Sequence, residues 1–329
     1  MASVARPHPC HFPRAWRNGV PALTSPQKLP LVAVIATGGT IASRKDDNGA
    51  ASPALTGQAL LDLLPPQPLR LRAIELLAKD SSSLTFSDMQ AISDAVAKQM
   101  ADPDIAGIVV MHGTDAMEET SLLVQLQHNA GKPVIFTGAQ FSSDSTHADG
   151  SINLADALHE ALQQSGVRLA FGGRVLPVWG LYKAGSDRAD AFALAGRSKA
   201  PSLALPASVA GQRVDIVAVH PGADAIHLDA SLAAGAQGII LCALGSGNAT
   251  PEIVEGVSRA VTSGVPVIVS SRVPEGSLTP TYGGGGGGHD LGQAGAIHSR
   301  LLRPGQARIL LAALLANGAT RDEIRQAFA

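Results

Sequence analysis

Aromatic side chains and charges are the two things this chain is short of. Aromatics make up 3% of its 329 residues and charged residues 16%, against 45% hydrophobic. With so few rings, a core has to be assembled from Ala, Leu, Val and Ile. Any chemistry that uses a phenol has two candidates, Tyr182 and Tyr282. The formal net charge is −2 and no Lys/Arg block stands out, so the basic footprint of a nucleic-acid partner is missing. Cysteine is scarce as well. Cys10 lies in a polar, proline-rich head and Cys242 in an apolar run, which is no disulfide framework and makes a reducing, cytoplasmic setting the expectation. No stretch reaches the roughly 18 uncharged apolar residues of a membrane span. Residues 1–30 lack the continuous apolar segment of a secretion signal. His8, Cys10 and His11 cluster there, but their spacing matches no zinc pattern. The head reads as a disordered extension, and neither metal nor cofactor is expected.

The length suggests two domains, each large enough for its own core. Short runs rich in Val and Ile recur at Leu31–Ala36, Ile105–Met111, Pro133–Phe136, Leu169–Phe171, Val214–Val219, Gly238–Leu244 and Val265–Val269. They are continuous rather than alternating, as strands covered on both faces are. Helical patterns lie between them, at Gln58–Leu64, Ser87–Met100, Met117–Asn129, Leu154–Gln164, Ala223–Ala234, Thr250–Ser263 and Ala307–Ala316. The alternation predicts a doubly wound parallel α/β sheet. Ser87 with Gln90 matches a capping box, and Thr250-Pro251 a cap followed by proline at the first helical position. The stretch 197–212, rich in Ala, Ser and Pro, reads as a linker between a catalytic domain over 31–196 and a smaller one over 213–329. The six glycines Gly283–Gly288 form a mobile loop or a bent segment.

In open parallel sheets ligands gather beyond the carboxyl ends of the strands. Three of the apolar runs end in small and hydroxyl residues there: Ala36-Thr37-Gly38-Gly39-Thr40, His112-Gly113-Thr114-Asp115 and Thr137-Gly138-Ala139-Gln140. Glycines let the backbone approach a ligand, and bare amides can bind a carboxylate or an oxyanion. The dinucleotide and phosphate-loop fingerprints are both absent after Ala36. A threonine hydroxyl needs a base to become a nucleophile. Thr114, Asp115 and the downstream Lys183 could supply one as a Thr–Lys–Asp relay. Each also has a plain structural reading: Thr114 as a helix cap, Asp115 on a helix dipole, Lys183 as a solvated lysine.

At this point the motifs are recognisable. Ala36-Thr37-Gly38-Gly39-Thr40-Ile41-Ala42 resembles the first signature of bacterial L-asparaginases, and Val110–Thr120 resembles the second, a long and specific match. Phe136–Gln140, Ala148-Asp149-Gly150, Asn153-Leu154, Gly245–Asn248 and Ser270–Gly276 follow in the family's order, so the resemblance covers the chain from about Leu31 onward. It implies a flavodoxin-like α/β C-terminal domain and an amidohydrolase that converts L-asparagine to L-aspartate and ammonia, with L-glutamine as a side substrate. Thr40 would be the nucleophile that forms an acyl-enzyme. Thr114, Asp115 and Lys183 would form the second catalytic group. Gly39, Ser81 and Ser82 would contact the substrate, and Asn248 would reach in from a neighbouring subunit of a homotetramer built as a dimer of dimers.

Two departures from the family stand out. The lid after the first signature usually carries a tyrosine, and Arg44–Leu55 has none, the aligned position falling near Pro53. The glutamate that well-studied members supply from the adjacent subunit is also missing, and Thr279-Pro280-Thr281-Tyr282 stands there. Tyr282 from the partner subunit is therefore expected to replace one or both contacts. Two other roles share these signatures: the amidase subunit of a tRNA-dependent amidotransferase, and a member that binds amino acids with little turnover.

Overall fold

The computed structural model describes residues 29–45, 51–53, 55–128, 130–196 and 200–329, with 42–45 and 51–53 described as backbone alone. The expectations for His8, Cys10 and His11, and for the side chains of the lid up to residue 54, fall outside the described residues.

The first sheet has six strands, β1 (Leu31–Ala36), β4 (Arg70–Glu75), β5 (Ile105–Met111), β6 (Pro133–Thr137), β7 (Gly166–Phe171) and β8 (Arg174–Pro177). Their order is β4-β1-β5-β6-β7-β8, parallel except for β8. A hairpin, β2 (Ser43–Lys45) with β3 (Ala51–Pro53), follows β1. Residues of β1 alternate between the two faces, as a strand requires. Leu31, Ala33 and Ile35 pack under α2 (Phe86–Ala101) and α3 (Met117–Gln127). Val32, Val34 and Ala36 pack under α1 (Gly57–Asp62) and α4 (Gly150–Glu160). Every residue of β1 is buried, which is why the run is continuously apolar. The chain leaves β1 toward β4 and leaves β5 toward β6, so the winding reverses between β1 and β5. That reversal is where an open α/β sheet forms its ligand crevice.

The second domain is smaller. Strands β11 (Val214–Ala218), β12 (Gly238–Ala243), β13 (Val267–Ser271) and β14 (Ile297–His298) form a parallel sheet in plain chain order. Helices α5 (Ile226–Ala233), α6 (Pro251–Thr262) and α7 (Gly288–Gln293) cover one face. Helices α8 (Pro304–Ala316) and α9 (Arg321–Phe328) cover the other. The expected α/β class holds, with one refinement. A flavodoxin-like sheet reverses its winding, whereas these four strands run straight through, so the switch point belongs to the first domain alone.

Helix α8 joins the two domains. It is apolar nearly all round, as a helix buried on every side must be, with Ile309, Leu310, Leu311, Ala312 and Ala313 fully buried. One side meets the second sheet and the other meets Phe86, Leu122, Leu123 and Leu126 of α2 and α3. The described part of the segment expected as a linker, residues 200–212, is strapped to the same face. Leu205 N–H donates to the Leu126 carbonyl at 2.9 Å and Val209 N–H to Gln90 Oε1 at 3.0 Å.

One local expectation is corrected, and one of two readings of another is selected. The cap of α2 is Thr85, whose hydroxyl accepts from Asp88 N–H while the Asp88 carboxylate accepts from Thr85 N–H. The Ser87/Gln90 box is not formed, because the helix has already begun at Phe86 and Gln90 points into the core. The six glycines form a bent segment wound round Asp290, whose carboxylate accepts from the N–H groups of Gly285 and Gly287. A Cβ on Gly287 would stand 1.8 Å from the Tyr282 carbonyl oxygen, so only glycine allows the chain to fold back there.

Candidate active site

The turns after β1 and β5 meet at the switch point. Thr37 donates through both its N–H and its hydroxyl to the Met111 carbonyl, at 3.1 and 2.9 Å. Gly39 has φ +83°, and a Cβ on it would stand 2.5 Å from Gly113 Cα. A side chain is excluded there on both counts, and the two strand ends come into contact through bare backbone. Thr40 follows at once, half-buried, opening a turn of 3₁₀ helix over Thr40–Ala42. Ile41 then anchors that turn in the apolar cluster under α1 and α4.

A second 3₁₀ turn, Thr114–Ala116, extends from β5. Thr114 is buried, Asp115 exposed and Lys183 half-buried. Lys183 Nζ donates to Thr114 Oγ1 at 2.8 Å and to Asp115 Oδ1 at 2.7 Å. The cap reading of Thr114 is thereby replaced: α3 is capped at Ala116 with no side-chain bond, and the threonine hydroxyl faces the lysine. Ser81 is buried beside Gly113 and its Oγ accepts from Asp115 N–H at 3.1 Å. Ser82, next in the same turn, is exposed. Lys183 lies on the three-residue strand β9 (Leu181–Lys183), which among the described residues pairs only with β10 (Phe192–Leu194), outside the main sheet.

The structure thus brings Gly39, Ser81, Thr114, Asp115 and Lys183 together, with Thr40 on the abutting turn. It does not bring in Asn248 or Tyr282. Asn248 Oδ1 accepts from Gly288 N–H at 3.2 Å, and the Tyr282 side chain is 61% exposed. Among the described residues, no hydrogen bond links either to the Thr–Lys–Asp cluster. The third motif builds a loop instead. The Asp149 carboxylate accepts from the N–H groups of Gln140 and Phe141, and Asn153 Nδ2 donates to the Gly138 carbonyl at 3.0 Å.

Three further titratable groups lie around the cluster: the sequence had offered Tyr182 as one of two phenols, but gave His112 and Glu118 no role. His112, at the end of β5, is wholly buried, and burial pulls its pKa down to about 4. Its Nδ1–H donates to the Gly113 carbonyl at 2.7 Å, and its buried Nε2 has no partner among the described residues. Glu118 accepts from the backbone N–H of Lys183. Burial pushes its carboxyl up to about 7, with that hydrogen bond opposing the rise. Tyr182 Oη donates to Glu275 Oε1 at 2.9 Å. Burial and that carboxylate both raise the phenol's pKa.

A two-domain α/β protein with a threonine, a lysine and an aspartate hydrogen-bonded at its switch point, and a second threonine on the abutting turn, has the make-up of a hydrolase. Comparison with known families is specific. Residues 31–211 match the model described as Asparaginase, N-terminal, and residues 213–328 match the Glutaminase/Asparaginase C-terminal domain. The chain belongs to the asparaginase family. It is 31% identical to a probable L-asparaginase of Deinococcus radiodurans, over 92% of this chain and 98% of that one. It is 28% identical to one component of the glutamyl-tRNA(Gln) amidotransferase of Pyrococcus abyssi, covering 91% of this chain and 75% of that protein. The fold is shared with the thermostable L-asparaginase from Thermococcus kodakarensis at TM-score 0.77 and 23% identity, covering 91% and 96% of the two chains.

Proposed function

We propose that this protein hydrolyses L-asparagine to L-aspartate and ammonia through an acyl-enzyme on Thr40. The observation that carries the reading is the Lys183 amine, bonded at once to Thr114 Oγ1 and Asp115 Oδ1 on the turn abutting Thr40. Thr40 Oγ attacks the side-chain amide carbon. Its proton passes to the relay formed by Thr114, Lys183 and Asp115. Backbone amides of the two glycine turns stabilise the oxyanion. The amide nitrogen takes a proton and leaves as ammonia. Water, activated by the same relay, then attacks the Thr40 ester, releases aspartate and restores the hydroxyl. Gly39, Ser81 and Ser82 hold the α-amino acid end of the substrate. Asn248 and Tyr282 come from a partner subunit of a homo-oligomer. The absence of hydrogen bonds from either to the cluster of their own chain, among the described residues, and the exposure of Tyr282 favour that assignment. L-Glutamine is a side substrate, since one methylene is worth only about 1–3 kcal/mol of discrimination. The cytoplasm is the proposed location.

The test is ammonia release from L-asparagine and L-glutamine by wild type beside Thr40→Ala. Turnover by the wild type and its loss by at least about a thousandfold in the variant are expected for a removed nucleophile. A variant that retains the wild-type rate would refute the threonine nucleophile. The similarity to the amidotransferase component favours one second reading, a tRNA-linked amidase. Wild type that spares free asparagine yet releases ammonia when supplied with aminoacyl-tRNA and partner subunits would establish it.

A further inference from the structure

Lys183 is poorly anchored by the main sheet, because β9 is three residues long and, among the described residues, pairs only with β10. A lysine stem is flexible, and a displacement of about 1 Å at such a group can cost on the order of a hundredfold in rate. Something else has to hold its backbone. The Lys183 N–H donates to Glu118 Oε2. Gln306, in the first turn of α8, is completely buried and uses each of its polar atoms. Its Oε1 accepts from Gly180 N–H at 2.9 Å, and its Nε2 donates to the carbonyls of Val178 at 2.6 Å and Glu118 at 3.0 Å. One side chain of the C-terminal domain thus bonds the start of α3, just past Thr114, and the stretch that leads into Lys183. The carboxylates of Glu118 and Glu119 lie against the same turn of α8: a Cβ on Gly305 would stand 3.3 Å from Glu118 Oε1 and 3.0 Å from Glu119 Oε1. Arg308, in the next turn of the helix, pairs with Glu119 at 3.2 Å.

We propose that Gln306 and Glu118 are positioning residues for Lys183, through which the C-terminal domain holds the lysine amine on Thr114 and Asp115. The proposal rests on the asparaginase reading above. Neither residue touches the reacting atoms. Gln306 sets the path of 178–180 relative to α3, and Glu118 sets the Lys183 backbone at the end of that path. A glutamine that only satisfied buried amides would affect stability without affecting the chemical step.

The test is steady-state ammonia release from L-asparagine, with thermal midpoints recorded for each variant. Gln306→Met keeps the volume and removes three hydrogen bonds. Its kcat is expected to fall roughly 10- to 100-fold with KM within about twofold, the pattern of a transition-state loss. Glu118→Gln retains an oxygen that accepts from Lys183 N–H and should keep kcat within about threefold, while Glu118→Leu should lose kcat as Gln306→Met does. If Gln306→Met fails to fold, the Glu118 pair makes the same comparison. Gln306→Met or Glu118→Leu turning over at the wild-type rate below a lowered midpoint, or changed in KM alone, would overturn the proposal. Wild type that releases no ammonia would sink the asparaginase reading and this proposal with it. An active wild type with unaffected variants would remove the positioning role alone.

Discussion

His112 and Glu118 flank the Thr114–Asp115 turn, and burial shifts them in opposite directions on the pH scale. His112 titrates near 4 in the folded chain against 6.5 in an exposed one. A second ring N–H, created by protonation, would face no acceptor at Nε2 among the described residues. The unfolded chain therefore takes up this proton first, and the stability held by neutral His112 above pH 6.5 is lost as pH falls toward 4. Glu118 titrates near 7 against 4.5. Its protonated form adds stability below pH 4.5 that is lost as pH rises through 7. Each effect is worth about 3 kcal/mol at full extent, and the two nearly cancel between pH 4.5 and 6.5. Urea midpoints of the variants across that range are therefore compared with the wild-type curve. In His112→Asn they should fall with rising pH, and in Glu118→Gln they should fall with decreasing pH. Three parallel curves would show that neither group is held as its surroundings imply. Within the motif Val110–Thr120, Thr114 and Asp115 bond the Lys183 amine, Glu118 bonds the Lys183 backbone N–H, and His112 lies buried beneath the turn.

At the scale of elements, the site is assembled from turns rather than from the strands themselves. Helix α2 matters because it follows directly on the Ser81 turn, and its capping box fixes where that turn ends. Thr85→Ala removes the cap and should cost about 1 kcal/mol, read as a lowered urea midpoint with an unchanged slope. An unchanged midpoint would mean that Asp88, bonded also to Lys79 at 2.7 Å, holds the turn without the threonine. Several elements were invisible to sequence patterns for a physical reason. Strand β4 lies at a sheet edge and alternates Arg with Leu, so it lacks the continuous apolar run of a covered strand. Strands β9 and β10 are three residues each, too short for any periodicity. Helix α9 is mostly polar, and its Thr320–Glu323 capping box is a sequence mark too short to have been singled out.

For the whole molecule, α8 makes one body of two domains. It packs against the second sheet and against α2 and α3 in a single cluster, and Gln306 and Arg308 add hydrogen bonds across the same seam. Leu311 is fully buried within it. Leu311→Ala should destabilise by about 2–5 kcal/mol and should lower a single calorimetric transition. A split into two transitions, with the first domain unmoved, would show that the domains unfold independently of the seam. Arg308 also lies over the Phe86 ring at 4.0 Å, one of the few aromatic contacts in a chain so poor in rings.

The sequence by itself determined the α/β class, the covered strands and the motif residues Gly39, Thr40, Thr114 and Asp115. These follow from local rules: apolar periodicity, glycine at a turn, hydroxyls at strand ends. It also offered Lys183 as a relay partner for Thr114 and Asp115, and named Ser81, Ser82, Asn248 and Tyr282 by resemblance, without fixing the geometry of any of them. Only the tertiary structure decided that Lys183 bonds Thr114 and Asp115, residues almost 70 positions away. It also decided that Gln306 reaches the same place from the far domain. A buried glutamine in an apolar helix carries no pattern that marks it, since its partners are backbone groups whose position depends on how two domains pack. Local chemistry is written in the order of residues, whereas contacts between distant turns exist only once the core has closed around α8.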